Sequence, residues 1–243
     1  MNARLQTTQP ADFVLDAGQS LGYIAVQLPG ATAVFRRLKL DFCCGGQVSL
    51  RQSAADKGLD LDALLAELGG LQHADQPVLH SEPAALIEHI LSRYHAVHRA
   101  QLPELVRMAR RVEAVHREHP LVPAGLAELL EAVEQELLQH MHKEEAILFP
   151  LLLAGGNAVA RRPIGMMRAE HIHHGAMVDR LAELTHSATP PQGACNTWRA
   201  LYAGIAQLND DLVNHIHLEN NLLFTQFDQP QPAPSPCCGS CGG

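Results

Sequence analysis

Two residue pairs with the spacing His-x3-Glu occur in this chain of 243 residues, as His140 with Glu144 and as His215 with Glu219. Residues four apart lie on one face of an α-helix, one turn above each other. Each pair therefore presents one imidazole and one carboxylate to the same point. Histidine is the commonest metal ligand, and carboxylates also bind metal ions. Two such pairs on separate helices predict a dinuclear metal site inside a helix bundle.

Clusters of proline and glycine divide the C-terminal two thirds of the chain into four long segments. They predict turns around residues 120–123, 155–157 and 189–193. The segments on either side of these turns carry the apolar periodicity of amphipathic helices. Their bounds are roughly 83–119, 123–153, 162–187 and 195–227. Long helices joined by short turns are typical of an up-down-up-down four-helix bundle, so we predict an all-α fold.

One histidine from each segment falls at a similar level when the chain is folded back at the three turns. His95 lies 25 residues before a first turn centred on residue 120, and His140 lies 20 residues after it. His171 lies 15 residues after a second turn centred on residue 156, and His215 lies 25 residues after a third centred on residue 190. This agreement predicts one metal site with the following ligands: His95, His140, Glu144, His171, His215 and Glu219.

The types of these ligands and their neighbours indicate which metal the site would hold. Nitrogen and oxygen ligands fit iron or manganese better than copper or calcium, and zinc stays open. Metal-bound imidazoles usually donate their second N–H to a nearby acceptor. Glu136 and Asp211 each lie four residues before a predicted ligand, and Glu170 directly precedes one, so these carboxylates are the predicted acceptors. The other histidines of these segments are expected at the surface or behind the ligands: His98, His173, His174 and His217.

The overall composition narrows the class of partner and the compartment. The formal net charge is −8, and the chain lacks the basic stripe that contacts nucleic-acid phosphates. The longest uncharged stretch, residues 146–160, is broken by Pro150 and two glycines and is shorter than a membrane-spanning helix. No basic and apolar leader opens the sequence. We therefore expect a cytoplasmic protein that binds neither nucleic acid nor membrane.

The six cysteines are expected to serve thiol or metal chemistry, because structural disulfides are rare in a reducing compartment. Cys43 and Cys44 are adjacent, precede two glycines and follow three basic residues at 36–39, which are expected to favour thiolates. The pair is predicted to be a reactive or metal-handling site; the alternative is two small buried side chains. Cys195 is expected to be an ordinary thiol.

The chain is expected to form two domains with loose ends. The segments are a loose N-terminus at 1–16, a small helical domain at 17–78 with the Cys43-Cys44 motif, the bundle at 83–228 and a flexible Pro/Cys-rich tail at 229–243. The tail carries Cys237, Cys238 and Cys241, which either form a tethered thiol or metal site or are incidental. A domain of some 50 residues has a small core, so we expect it to lean on a partner, and the protein to be a homodimer.

The predicted metal ligands and the double-cysteine motif together resemble the pattern of a known family. Residues 41–46 read Asp-Phe-Cys-Cys-Gly-Gly and precede a bundle with the ligand pattern of the hemerythrin-like fold. This combination resembles the di-iron repair-of-iron-centres family, over about residues 17–228. Hemerythrin oxygen carriers have His-x3-His on the third helix and His-x4-Asp on the fourth, but Gly175 and Asn220 occupy those positions in this chain. Further runs that match the family are 93–95, 98–105, 140–150 and 218–224.

The resemblance implies a site and a function. The site is two non-heme iron ions per chain, held by the six predicted ligands with Glu144 and Glu219 as bridges. The function is restoration of iron–sulfur clusters damaged by nitric oxide or oxidants, with iron supplied from a labile di-iron site to the damaged iron–sulfur proteins. Cys43 and Cys44 would receive or pass on iron or nitrosyl groups.

Two other functions stay open on the sequence alone. An open di-iron site also suits an enzyme that reduces nitric oxide, with Glu136 and Glu170 relaying protons. It equally suits a sensor that binds nitric oxide or oxygen. Turnover of nitric oxide would select the enzyme, whereas reversible ligand binding without loss of iron would select the sensor.

Overall fold

The structure is a computed structural model that describes residues 13–71, 82–156 and 158–228. Within these ranges every extended regular element is a helix, and the only β-type pairing is one isolated bridge between Ser20 and Ser49. The all-α fold predicted from the sequence is therefore confirmed for the described part of the chain.

The chain separates into two compact units, Met1–Leu79 and His80–Gly243. Several expectations from the sequence fall on residues that the structure does not describe. These are the loose N-terminus over 1–12, the end of the small domain with the segment after it over 72–81, and the tail with its three cysteines over 229–243.

Four short helices make up the described part of the first unit: α1 Leu21–Gln27, α2 Ala31–Arg37, α3 Leu50–Asp56 and α4 Leu61–Gly69. Three of them begin after a side chain that accepts hydrogen bonds from the N–H groups of the first turn, namely Ser20, Ser49 and Asp60. The apolar faces meet in a small core that includes Phe35 and Phe42, whose ring centroids are 5.8 Å apart.

The loop between α2 and α3 carries the double-cysteine motif and is anchored on both sides of it. Before the motif, the Leu40 N–H donates to the Phe35 carbonyl at 2.8 Å. After it, the Gly22 N–H of α1 donates to the Gly46 carbonyl, also at 2.8 Å. These backbone bonds fix the path of the loop within the first unit.

The described part of the second unit contains four long helical segments, which we call bundle helices. The first consists of α5 Pro83–Ile90, a π-helical segment Leu91–His95 and α6 Ala96–Val115. The second consists of α7 Leu126–Lys143, a π-helical segment Glu144–Leu148 and α8 Phe149–Leu153. The third is α9 Arg161–Leu184. The fourth consists of α10 Asn196–His217, a π-helical segment Leu218–Leu223 and a 3₁₀ helix Phe224–Phe227.

The bundle helices pack in the order that the predicted turns require. α6 packs on α7 and α10, and α9 packs on α7 and α10, so each helix has two neighbours. The largest difference from the predicted bounds is four residues, at the end of the first bundle helix, which is predicted at 119 and observed at 115. None of the described helices combines the length and the apolar character needed to cross a membrane.

Apolar layers enclose the predicted ligand positions along the bundle. On one side lies a cluster of buried residues from all four bundle helices: Leu86, Ile87, Ile90, Leu148, Phe149, Leu152, Ala160, Ile164, Met167, Leu223 and Phe224. On the other side each bundle helix again contributes buried side chains, among them Leu102, Leu137, Met177 and Leu212. The polar groups between these layers are thereby removed from water. Their contacts with one another must therefore replace the hydrogen bonds that water would make.

We predict that a fragment of residues 82–228 folds without the first unit, because its apolar core comes from its own four bundle helices. It should show one cooperative thermal transition by circular dichroism and the metal content of the full chain by elemental analysis. A fragment that unfolds, or that stays empty when the full chain binds metal, would show that the first unit completes the bundle or the site.

Candidate metal centre

All six predicted ligands lie together in the interior of the bundle. Each has at most 1% of its surface exposed. The first bundle helix supplies one, the second two, the third one and the fourth two: His95, His140, Glu144, His171, His215 and Glu219. The number of residues between each histidine and the predicted turns thus predicted the level of the bundle at which the four histidines meet.

One half of the cluster pairs the first and fourth bundle helices. The Nε2 atoms of His95 and His215 are 3.2 Å apart. Glu144 Oε2 lies 3.3 Å from His95 Nε2, and Glu219 Oε1 lies 3.2 Å from His215 Nε2. These four side chains bring four ligand atoms to within 4.8 Å of one another.

The other half pairs the second and third bundle helices in the same way. The Nε2 atoms of His140 and His171 are 3.1 Å apart. Glu144 now uses its Oε1, 3.3 Å from His140 Nε2, and Glu219 uses its Oε2, 3.0 Å from His171 Nε2. Each carboxylate therefore offers one oxygen to each half.

Several buried atoms of the cluster lack a hydrogen-bond donor or acceptor. Both oxygens of Glu144, Oε2 of Glu219 and Nδ1 of His215 make no hydrogen bond of normal geometry, although the three oxygens lie 3.0 to 3.3 Å from imidazole nitrogens. Buried polar groups are normally paired, and an unpaired buried group asks for an explanation such as a bound ion. Inward-facing nitrogens and carboxylate oxygens fit a metal site.

Within the cluster the histidines lower the pKa values of the two glutamates, and the glutamates raise the pKa of His140. Burial and Glu219 push the pKa of Glu144 upward, but His140 and His95 outweigh them and lower it. Burial also opposes ionisation of Glu219, yet His215 and His171 hold its pKa well below the usual range. Conversely, burial lowers the pKa of His140, but the carboxylates, Glu144 first, raise it to about 9. A metal ion that binds here must therefore displace a proton from His140.

Two carboxylates orient ligand imidazoles from behind. His95 Nδ1 donates to Glu145 Oε1 at 2.7 Å, and that oxygen also accepts from Arg99 at 2.8 Å. His140 Nδ1 donates to Glu170 Oε2 at 2.8 Å, and the other oxygen of Glu170 accepts from Lys143. A bond at Nδ1 leaves Nε2 as the atom that faces the cluster.

The remaining two imidazoles differ in their support. His171 Nδ1 donates to the amide oxygen of Asn220 at 2.9 Å. His215 has no partner at Nδ1, although Asp211, four residues before it, is buried. Asp211 instead accepts two hydrogen bonds from Arg93, at 2.6 and 3.2 Å. The sequence-based prediction that Asp211 supports His215 is therefore wrong.

Glu136 also lies away from the position predicted for it. Its carboxylate pairs with the exposed His173 at 2.8 Å instead of supporting His140. Four residues turn an α-helix by about 400°, so a residue four before a ligand is rotated by about 40° from it. Here that rotation directs Glu136 to the surface, and Glu170 of the third bundle helix takes the place next to His140.

Two further histidines are buried beside the ligands. The ring centroid of His98 is 5.5 Å from that of His215, and the centroid of His174 is 4.7 Å from that of His140. Burial, together with the neighbouring histidines, lowers the pKa of His98 to about 2 and that of His174 to about 3. Both are neutral imidazoles that pack against the ligands. His217 is buried as well, whereas His173 is exposed.

Sequence reasoning missed Glu145 and assigned no contact to Asn220. Both follow directly after a glutamate ligand, and both hold an imidazole from another bundle helix. The available signal was this adjacency, Glu144-Glu145 and Glu219-Asn220. Regular α-helical geometry hides it, because neighbouring residues point about 100° apart.

The double-cysteine loop forms a second group of ligand atoms, within the first unit. Asp41 Oδ1 accepts from the Cys44 N–H at 2.9 Å and lies 3.5 Å from Cys43 Sγ. The two sulfur atoms are 3.7 Å apart. A side chain at Gly45 would start 2.9 Å from the Asp41 carboxylate, so glycine permits this close approach. Asp41, Cys43 and Cys44 together offer three ligand atoms within 4.8 Å of one another.

The ionisation of Cys43 differs from the sequence-based expectation. The hydrogen bond with Cys44, burial and the charge of Asp41 raise the pKa of the Cys43 thiol. Of the basic residues expected to favour a thiolate, Arg37 donates to both oxygens of Glu67, at 2.5 and 2.6 Å. Cys43 is therefore a protonated thiol, which a metal ion would have to deprotonate on binding.

Comparison with known proteins covers both units. Residues 86–227 match the hemerythrin HHE cation binding domain, and residues 17–72 match a domain of unknown function, DUF542. Over 209 residues the chain is 52% identical to the iron-sulfur cluster repair protein YtfE of Yersinia pestis (strain Pestoides F), which covers 85% of this chain and 95% of that protein. YtfE of Yersinia pseudotuberculosis (serotype O:1b, strain IP 31758) matches with the same identity and coverage.

These matches confirm the resemblance noted in the sequence. The hemerythrin HHE match contains every residue of the buried His–Glu cluster, and that cluster has the composition of a non-heme iron site. The chain therefore belongs to the family of iron–sulfur cluster repair proteins that carry a hemerythrin HHE bundle.

Proposed function

We propose that this protein repairs damaged iron–sulfur clusters by supplying iron from a labile pair of non-heme iron ions in its bundle. The observation that carries the proposal is the pair of carboxylates, Glu144 and Glu219, each of which offers one oxygen to each of two histidine pairs. The proposed ligands are His95, His140, Glu144, His171, His215 and Glu219. When bound, the two ions supply redox-active Lewis acid centres.

The residues of the cluster also support release of the iron. Without a cation, His140 favours the protonated state, with a pKa of about 9 next to Glu144. Protons can therefore replace cations as partners of the buried carboxylates. Glu170 reaches His140 Nδ1 at 2.8 Å while its side chain stays 28% exposed, so it connects a ligand imidazole with solvent. A site whose own groups hold protons in place of metal suits a donor better than permanent storage.

The double-cysteine loop is the proposed acceptor of iron or of nitrosyl groups. Thiolates are soft ligands, and Asp41 adds a harder oxygen beside Cys43 and Cys44. The raised pKa of Cys43 means that the free loop keeps its proton and binds a cation only by exchange. This exchange would make binding by the loop reversible and pH-dependent.

Reduction of nitric oxide at the same bundle site is a second candidate function. The observation that favours it is a carboxylate behind two of the ligand imidazoles, Glu145 on His95 and Glu170 on His140, each partly open to solvent. Such groups can relay protons. The proton relay first expected for Glu136 is assigned to Glu145, because Glu136 contacts His173.

The proposed small ligands of the site are nitric oxide and oxygen. The proposed assembly is a homodimer, and the proposed location is the cytoplasm.

Glu144→Ala should lose at least half of the bound iron, because it removes a ligand from both halves of the cluster. Wild-type protein purified without oxygen should carry about two irons per chain. The matched control is Glu136→Ala, which removes an exposed carboxylate from the same helix and should keep the wild-type content. Iron is measured by elemental analysis and Mössbauer spectroscopy. Full loading of Glu144→Ala, or an empty Glu136→Ala, would refute the ligand set.

Glu170→Ala should weaken iron binding by about tenfold to a hundredfold, because a ligand imidazole loses the acceptor that orients it. Asn220→Ala should act in the same direction through His171. Competition with a chelator of known affinity gives the dissociation constants. Equal constants for wild type, Glu170→Ala and Glu136→Ala would mean that these outer contacts do not tune the site.

Cys43→Ser/Cys44→Ser should keep the iron content but impair repair, because hydroxyls are poor ligands for iron or nitrosyl iron. The assay is recovery of activity by an aconitase-type enzyme damaged with nitric oxide, using protein samples of equal iron loading. A chain truncated after Asp228, which lacks the three tail cysteines, is the control and should retain repair. Full recovery with the double serine variant would leave iron release from the bundle as the only function. Catalytic consumption of nitric oxide would select the reductase.

A further inference from the structure

A second pair of chemistry-bearing side chains lies at the end of the bundle opposite the His–Glu cluster. His116 follows α6, and Cys195 precedes α10. His116 Nε2 and Cys195 Sγ are 3.2 Å apart. His116 lies 21 residues beyond His95 on the first bundle helix, or about 30 Å at 1.5 Å per residue. The pair is therefore separate from the metal centre.

The surroundings of this pair are positive and partly open. Cys195 occupies the N-cap position of the 22-residue α10, and its side chain makes no capping hydrogen bond. The first N–H groups of a helix and its dipole favour negative charge at this end. Arg199 places its side chain next to the same turn, with Nε donating to the Ala194 carbonyl at 3.0 Å.

The imidazole is held in place by aromatic packing. The ring of Trp198, only 1% exposed, lies 5.0 Å from that of His116 and 5.2 Å from that of His119. The Nδ1 atom of His119 accepts from the Leu121 N–H at 3.1 Å. Among the described residues, His116 is the imidazole within hydrogen-bond distance of Cys195 Sγ, and both residues of the pair keep partial exposure.

The composition of the pair favours thiol chemistry over metal binding. Among the described residues, no third histidine, cysteine or acidic ligand atom joins Sγ and Nε2 within 4.8 Å. Two ligands do not enclose a structural metal ion, which usually takes four. A thiol within hydrogen-bond distance of an imidazole is instead the arrangement of an activated nucleophile.

We propose that Cys195 and His116 form a peroxide-reactive thiol site. As Sγ attacks one oxygen of hydrogen peroxide, the thiol proton moves to His116 Nε2. The O–O bond breaks, and His116 returns that proton to the departing hydroxide, which leaves as water. The sulfur is oxidised by two electrons to a sulfenic acid and the peroxide is reduced, so that one thiol and one peroxide give one sulfenic acid and one water.

The half-buried position selects the size of the reagent. Cys195 is only partly accessible, and hydrogen peroxide needs less open space around the sulfur than a peptide disulfide does. Hydrogen peroxide also needs a proton on its leaving oxygen, and His116 is placed to supply it. The inference does not depend on the proposed repair function, because no residue of the iron cluster takes part.

The test compares two histidines that share the Trp198 ring. Tryptic digestion of the full chain releases residues 181–199, a peptide whose single cysteine is Cys195. The folded chain is alkylated with iodoacetamide at pH 7 before digestion. Mass spectrometry then measures the alkylated fraction of this peptide in wild type, His116→Gln and His119→Gln. His116→Gln should slow the reaction by about tenfold or more, because the general base is lost. His119→Gln should stay within about twofold of wild type, because it leaves the base in place.

The peroxide step is tested by trapping the sulfenic acid with dimedone on the same peptide. Wild type should gain the adduct, and His116→Gln and Cys195→Ser should not. The assay is repeated with wild-type protein stripped of iron by a chelator, in which equal labelling would exclude oxidation driven by the bound iron. Equal alkylation rates for wild type and both histidine variants, or labelling that disappears in the iron-free protein, would overturn the proposal. Circular dichroism verifies that His116→Gln is folded, and a difference in rate between folded His116→Gln and His119→Gln separates base catalysis from a general disturbance of packing.

Discussion

The burial of two carboxylates at the centre of a helix bundle is the constraint on which the rest of the second unit depends. Removing one carboxylate from water costs several kcal/mol, and two unit charges 4 Å apart repel by about 4 kcal/mol at an effective dielectric constant of about 20. Glu144 and Glu219 are both fully buried. They are tolerated because each faces two histidines, so the four bundle helices must all deliver an imidazole to one level. Positive charge, carried by protons or by metal ions, is what this interior requires.

The residues that follow the two glutamates have the same role. Each contacts an imidazole of another bundle helix: Glu145 contacts His95, and Asn220 contacts His171. A π-helical segment begins at Glu144, and another contains Glu219 and Asn220. A π-turn inserts one residue into the helix and is frequent at functional sites. This local widening redirects consecutive side chains, so that two neighbours in sequence can serve two different imidazoles.

The sequence was sufficient to predict the fold and the level of the cluster, because both follow from periodicity. The His-x3-Glu spacing and the turn positions placed His95 and His171 at one level with the two pairs. The outer contacts could not be derived in this way. Whether Glu136 or Glu170 supports His140 depends on about 40° of helix rotation and on the neighbouring helix, neither of which is encoded in local spacing. Likewise, the basic residues before Cys43 suggested a thiolate, but burial and the contacts to Cys44 and Asp41 raise its pKa instead.

The two cysteine sites show how the same side chain acquires opposite chemistry from its partners. Cys43 faces a second thiol and a carboxylate, which retain its proton until a cation displaces it. Cys195 faces an imidazole at the start of a long helix, and that imidazole can accept the thiol proton. The first arrangement suits exchange of metal, and the second suits attack on a small electrophile. Because these partners come from the fold, a cysteine count alone cannot distinguish the two roles.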